Sequence, residues 1–186
     1  MKKRLVVGLT GASGAPLAVE LLRGMRSFPD WETHVVCSGS FARTLPLETG
    51  LSMEELEALT DRMYPLEDIG ASIASGTFRT EGMVIIPCSM KTLAGIASGY
   101  SDNLVLRAAD VTLKERRKLV LVARESPLSS IHLKNMLFLS QCGATILPPM
   151  LTYYNCPQTV EDMTRHIVGK VLSEFGLELP GFHRWQ

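Results

Sequence analysis

Five stretches of this chain mix hydroxyls, cations or carboxylates with small residues, and each comes after an apolar run. Gly8-Leu9-Thr10-Gly11-Ala12-Ser13-Gly14 follows Leu5-Val6-Val7, and Ser38-Gly39-Ser40 follows Thr33–Cys37. Cys88-Ser89-Met90-Lys91-Thr92 follows Met83–Pro87, Arg124-Glu125-Ser126 follows Leu119–Ala123, and Tyr153-Tyr154 stands beyond Ala144–Leu147. The first is the most suggestive. A β-branched run, spaced small residues and then a helical pattern read as strand, tight loop, helix. The unpaired N–H groups of a first helical turn attract phosphate, and absent side chains let it approach. Glycine also serves the steric needs of such a turn, so the loop alone leaves both readings open.

The spacing narrows the ligand. Gly8, Gly11 and Gly14 make G-x-x-G-x-x-G rather than the G-x-G-x-x-G of dinucleotide enzymes. Where an acidic residue would hold the ribose of such a cofactor, Cys37-Ser38-Gly39-Ser40 stands instead. No Gly-Lys-Ser/Thr follows, which excludes a P-loop. A mononucleotide such as FMN, held by hydroxyls and backbone donors, fits better.

Other charged residues admit two readings. Arg107 and Lys114 are two turns apart on roughly one helix face, beside Arg116 and Arg117; on pattern alone a solvated basic face accounts for them. Lys170 neighbours the apolar Ile167 and Val171, where a lysine stem commonly snorkels. Arg124-Glu125 at a strand end is either a surface ion pair or a carboxylate tuned for acid–base work. Glu48, near a helix break, carries no signal of its own. The histidines His34, His132, His166 and His183 are scattered, without metal-ligand spacing, and Cys88 reads as core rather than nucleophile.

The elements that must position these residues follow from periodicity. Helices are predicted over Ala15–Phe28, over an interrupted Phe41–Met63 broken at Pro46 and Gly50 with a Ser52–Glu55 capping box, and through Leu93 and Ile96 to Gly99. Further helices run from an Asp102 cap to about Arg117, from Ser130 to Cys142 with Ile131, Leu133, Leu137 and Leu139 available for burial, and from a Thr159 cap to Gly176. Val160, Met163, Ile167, Val171 and Phe175 form the stripe of the last helix, and Ser13 is expected to cap the first. Leu66–Thr80 reads as loop with a short helix. The five apolar runs are strands, so residues 1–186 form one doubly wound parallel α/β domain. In such sheets ligands collect at the carboxyl ends of the strands, where the five polar stretches lie.

Composition sets the limits. The chain has 186 residues, 46% hydrophobic and 20% charged, and is long enough for a sizeable core. Lys+Arg and Asp+Glu both total 19, so no global charge draws nucleic acid or an anionic membrane, and a phosphate ligand needs a local cation cluster. The four cysteines are widely spaced and read as free thiols of a reducing compartment. The basic opening Met1–Arg4 precedes an apolar run too short for a signal peptide or a membrane span, so the expected location is the cytoplasm.

Several motifs together resemble the flavin prenyltransferase (UbiX-like) family, including the B subunits of hydroxyarylic acid decarboxylases. They are Thr10-Gly11-Ala12-Ser13-Gly14-Ala15, Pro87-Cys88-Ser89-Met90-Lys91-Thr92-Leu93, Arg107-Ala108-Ala109-Asp110-Val111 and Leu113-Lys114-Glu115-Arg116-Arg117, followed by Arg124-Glu125-Ser126-Pro127, Pro148-Pro149 and Arg184-Trp185. The resemblance spans nearly the whole chain. It implies a flavodoxin-like Rossmann fold, homododecamers, and reduced FMN bound between protomers. It also implies transfer of a dimethylallyl group from dimethylallyl monophosphate to flavin nitrogen 5, ring closure onto carbon 6, and delivery of prenylated FMN to a UbiD-like decarboxylase, all without a metal.

Carried over by position, Gly11, Ala12, Ser13, Ser38, Ser89, Met90, Lys91, Thr92 and Arg124 hold the flavin. Arg107, Lys114, Tyr154 and Lys170 surround the substrate phosphate, and Ser13, Glu48 and Glu125, with Arg124 beside them, serve the chemistry. Ser89-Met90-Lys91-Thr92 departs from the Ser-Thr-Gly-Thr of many members, and some carry Arg at the Lys170 position. The alternatives are a flavin-dependent cysteine decarboxylase, whose members read P-A-S-A-N-T at Pro87–Thr92 and carry an early histidine, and a non-catalytic FMN-binding subunit of a phenolic acid decarboxylase.

Overall fold

The computed structural model describes residues 2–185; Met1, at the head of the basic opening, and Gln186 lie outside them. Six parallel strands are ordered β3-β2-β1-β4-β5-β6: β1 (Lys3–Leu9), β2 (Trp31–Cys37), β3 (Arg62–Tyr64), β4 (Gly82–Cys88), β5 (Lys118–Ala123) and β6 (Thr145–Ile146). The helices are α1 (Ala15–Met25), α2 (Gly39–Thr49), α3 (Met53–Glu57), α4 (Met90–Ser98), α5 (Leu104–Lys114), α6 (Ser130–Gln141) and α7 (Val160–Ser173). The expected parallel α/β fold is present, with one strand more than the sequence reading counted.

Alternation along the strands builds two cores. Leu5, Val7 and Leu9 of β1, with Val35, Val84, Ile86, Val120 and Val122, face α1 and α7, whereas Val6, Val36, Met83, Ile85, Leu119 and Leu121 face α4, α5 and α6. All seven residues of β4 are buried, as a central strand covered on both faces requires. Gly82 opens that strand at φ 153°, and a Cβ there would overlap the Lys118 carbonyl. Chain order reverses between β1 and β4, so the loops leaving their carboxyl ends splay around a cleft.

Several local expectations change. Pro46 does not break α2; it sits exposed inside it, and the helix ends at Gly50 in a left-handed conformation (φ 72°). Glu48 therefore occupies the last turn of an intact helix. Gly14, not Ser13, precedes α1, and Asn103, not Asp102, caps α5 by accepting the Leu106 N–H at 3.1 Å. That helix ends at Lys114, short of Arg117, because Arg116 turns to φ 55°. The capping boxes at Ser52 and the cap at Thr159 form as expected. On α6, Leu139 is 1% exposed but Ile131, Leu133 and Leu137 are on the surface, and Val160 of α7 is exposed too.

Candidate active site

The cleft is built from the start of α1. Glu48, delivered by the last turn of α2, turns its carboxylate onto that start: Oε2 accepts the N–H groups of Gly14 at 2.9 Å and Ala15 at 2.7 Å. The anion at this helix terminus is thus the protein's own side chain, and the first-turn donors expected for phosphate are engaged. Burial raises the Glu48 pKa, but the Ser13 hydroxyl, the two N–H groups and the charge of Arg124 together outweigh it and hold the carboxyl below its ordinary range. Ser13, Glu48 and Arg124 are therefore brought together. A groove of about 320 Å³ lined by Pro16, Val19, Thr49 and Val160 reaches Glu48.

Two further helix starts flank the first. Ser38 caps α2, accepting the Phe41 N–H at 3.2 Å, while its own N–H donates to Leu9 O at 2.9 Å. Ser89 caps α4, accepting from Thr92 N at 3.3 Å, and the Ser89 and Thr92 hydroxyls are 3.1 Å apart. Gly11 passes so close to the first turn of α2 that a Cβ would overlap Ser40, so the glycine lets these two elements meet. Arg124 N donates to Cys88 O at 3.1 Å, extending the β4–β5 pairing to the cleft; its side chain and that of Glu125 are exposed. The Met90 side chain is 9% exposed and packs into the core, so only its backbone can serve the cleft, while Lys91 is exposed. Cys88 is fully buried, its thiol pushed up to about 12 by burial, in keeping with a core role.

Within one chain each of the four residues of the phosphate set is engaged by a partner of its own. Arg107 lies in the first turns of α5, bonded to Asp110 at 2.7 Å; Lys114 ends that helix, paired with Glu115. Because α5 runs back toward the start of β5, Lys114 lies at the amino end of the sheet. Lys170 lies there too, 2.9 Å from Glu174, whose other oxygen is 3.6 Å from Lys118 at the first position of β5. The Tyr154 hydroxyl is 3.1 Å from His166 Nε2, and its ring meets Trp185 edge to face.

A family model described as Flavoprotein matches residues 1–172. A relative from Streptomyces sp. (strain D7) named "Probable UbiX-like flavin prenyltransferase" is 57% identical over 182 residues, 98% of this chain and 91% of that one. This chain belongs to the UbiX-like flavin prenyltransferases. Two solved structures show the family's fold at full length. A dodecameric FMN-dependent UbiX-like decarboxylase from Escherichia coli O157:H7 superposes with a TM-score of 0.97 at 56% identity, covering 98% of this chain and 99% of that one. AnUbiX (PadA1), in complex with FMN and dimethylallyl pyrophosphate, superposes with a TM-score of 0.98 at 45% identity, covering 100% and 98%.

Sequence reasoning about this prenyltransferase missed two buried polar side chains, one bridging the cleft loops and one behind Tyr154. Thr10 is 2% exposed and bridges the loops after β1 and β4. His166 is 8% exposed and holds the Tyr154 hydroxyl; burial, then the charge of His183, lowers its pKa. Thr10 stands inside a motif already noted, but a threonine next to glycine in a tight turn carries no mark of burial. His166 shares the helical stripe with Ile167, a pattern that does not distinguish a core histidine from a hydrogen-bonded one.

Proposed function

We infer that this chain is a metal-independent flavin prenyltransferase that takes reduced FMN and a dimethylallyl phosphate and releases prenylated FMN for a UbiD-like decarboxylase. The observation that carries the reading is the convergence of Ser13, Glu48 and Arg124 at the start of α1, between the Ser38 and Ser89 caps. The donor set fits the flavin: hydroxyls and first-turn amides at α2 and α4, with one exposed arginine, suit a phosphate monoester and the polar edge of a ring system. Gly11, Ala12, Ser13, Ser38, the Ser89–Thr92 turn and Arg124 would hold it.

Reduced FMN supplies the nucleophilic nitrogen that receives the prenyl group. The protein must then neutralise the departing phosphate and move protons. Arg107, Lys114, Tyr154 and Lys170 are proposed for the first task, as charge-assisted donors to the phosphate oxygens. Glu48, kept ionised by its N–H donors, can accept a proton only when those bonds loosen, and the adjacent Ser13 hydroxyl can relay one. Glu125 is exposed, its Oε1 accepting the N–H of Ser126 at 3.0 Å, and is the second carboxylate proposed to carry a proton. The working unit is a homododecamer. The exposed side chains of Ile131 and Leu137 on α6 are the kind of surface that such assembly covers. The proposed location is the cytoplasm, where the four free cysteines would remain reduced; none of the described helices is long and apolar enough to cross a membrane.

The test is anaerobic incubation of the protein with reduced FMN and dimethylallyl monophosphate, with dimethylallyl pyrophosphate in a parallel arm, followed by mass spectrometry of the flavin. The expected product is heavier by one prenyl unit, with the monophosphate as the better donor. Bound but unmodified FMN in both arms would overturn the reading in favour of a non-catalytic subunit. Oxidative decarboxylation of a cysteine-ended substrate without prenylation would favour the cysteine decarboxylase.

A further inference from the structure

The backbone pairing of β1 with β4 runs from Leu5↔Gly82 to Gly8↔Ile85 and then stops. It cannot continue through Pro87, which has no N–H to donate. At this point a side chain takes over. The Thr10 hydroxyl donates to Pro87 O at 2.7 Å and accepts from Ser89 N at 2.8 Å, so one buried oxygen satisfies a carbonyl and an amide on either side of Cys88. Only a hydroxyl can do both at one atom: valine does neither, and an amine or a carboxylate does one.

We propose that Thr10 is a positioning residue for the flavin phosphate: by fixing the Ser89 backbone it sets the direction of the α4 start. Ser89 is the N-cap of α4. If its N–H is released, the cap hydroxyl, the Thr92 hydroxyl beside it and the first-turn amides lose their common orientation toward the cleft. Thr10 touches neither substrate itself. It acts through Ser89, and it keeps the loop carrying Gly11 and Ser13 at a constant distance from the loop carrying Ser89 and Thr92. This rests on the flavin-binding reading given above, and adds the residue that holds the two halves of that site in register.

The experiment measures FMN affinity and steady-state kinetics for the unaltered protein, Thr10→Val and Thr10→Ser. Thr10→Val is expected to weaken FMN binding about tenfold, the size of one unsatisfied buried hydrogen-bonding group. The KM for dimethylallyl phosphate should stay within about twofold, because none of its proposed ligands lies on either loop, and the kcat at saturating FMN should fall less than the FMN affinity, because Glu48 still holds the Gly14 and Ala15 N–H groups beside Ser13. Thr10→Ser should restore the FMN affinity. A merely structural threonine would lower the thermal midpoint while the folded fraction of Thr10→Val bound FMN normally, and that result overturns the proposal. So does a serine variant as weak as the valine one. If Thr10→Val does not fold, amide hydrogen exchange in the unaltered protein decides: the Ser89 N–H should be protected, and exchange at the rate of an open loop counts against the bridge. Failure of the unaltered protein to bind FMN would instead overturn the flavin-binding reading itself.

Discussion

Glu48 and Ala15, thirty-three residues apart in sequence, meet where a Rossmann fold offers its first helix to a ligand: the carboxylate accepts the Ala15 N–H at 2.7 Å and the Gly14 N–H at 2.9 Å. The bond joins α2 to α1 and places a negative charge on the positive end of the α1 dipole. It also explains why α2 must continue past Pro46. An earlier stop would leave Glu48 on a loop, with no fixed direction toward α1. Glu48→Gln keeps an acceptor but loses the charge, and should lower unfolding free energy by about 1 kcal/mol, discounted for partial exposure. Turnover should fall by about a hundredfold if Glu48 takes part in proton transfer. Urea titration and single-turnover prenylation measure the two effects separately. An unchanged urea midpoint would show that the helix contact contributes nothing to stability.

Acid should weaken the fold in two stages. His34 is 4% exposed, bonded to Tyr64 at 2.8 Å and to Glu32 at 3.2 Å. Burial lowers its pKa from the ordinary 6.5 against the raising effect of Glu32, with Arg4 and Arg62 adding to the lowering. The unfolded chain then binds the His34 proton more readily, so stability is complete above pH 6.5 and declines as pH falls from there toward the folded pKa. Glu48 is lowered in the folded state from 4.5; its contribution is present above that pH and is lost as pH falls through the folded value. Thermal midpoints measured from pH 8 to pH 3 should therefore begin to drop near neutrality and steepen below about pH 4.5. His34→Gln should shrink the upper stage, which His166 shares, and Glu48→Gln the lower one, which Glu32 and Glu174 share. A midpoint that stays constant from pH 8 to pH 5 would rule out the histidine contribution.

The outer face of α6 invites a direct test of assembly. Ile131 and Leu137 are 68% and 61% exposed, and replacing both with glutamate removes no contact from the chain's own core. The variant should keep its circular dichroism and thermal midpoint while light scattering shows a species smaller than the parent assembly. Leu139→Ala, at a site 1% exposed on the same helix, should do the reverse. It should cost about 2–5 kcal/mol of stability without first changing the assembly. If the double glutamate variant retains the parent mass, α6 is not an assembly face.

These cases also show what was legible in the sequence. Long apolar runs such as Met83–Ile86 gave up their strands because burial on both faces leaves no polar position. β3 escaped because it is three residues long at the sheet edge, and Arg62, Met63 and Tyr64 show no alternation. Proline and glycine mark helix ends only statistically, and exposed Pro46 could be carried inside α2. The α6 leucines looked like core because periodicity reports that a face will be covered, not whether the same chain covers it. Ser13 and Glu48 lie in separate elements, and their meeting depends on the crossing of α1 with α2, which no local pattern encodes.

Within one chain Lys170 and Glu125 stand at opposite ends of β5. Lys170 is tied through Glu174 to Lys118, the first residue of β5, while Glu125 follows Ala123, the last. At about 3.3 Å per residue step the two ends are roughly 17 Å apart. If both groups touch the substrate, they come from different copies, across an interface that presents different surfaces on its two sides. Lys170→Ala and Glu125→Gln should then each be inactive alone yet complement one another when co-expressed in one assembly. With equal amounts, about one quarter of the sites would carry both native residues, setting the recovered activity near that fraction. Persistent inactivity of a confirmed mixed assembly would remove Lys170 or Glu125 from the shared site. Recovery would show that the isolated fold holds half of each active site and that assembly supplies the rest.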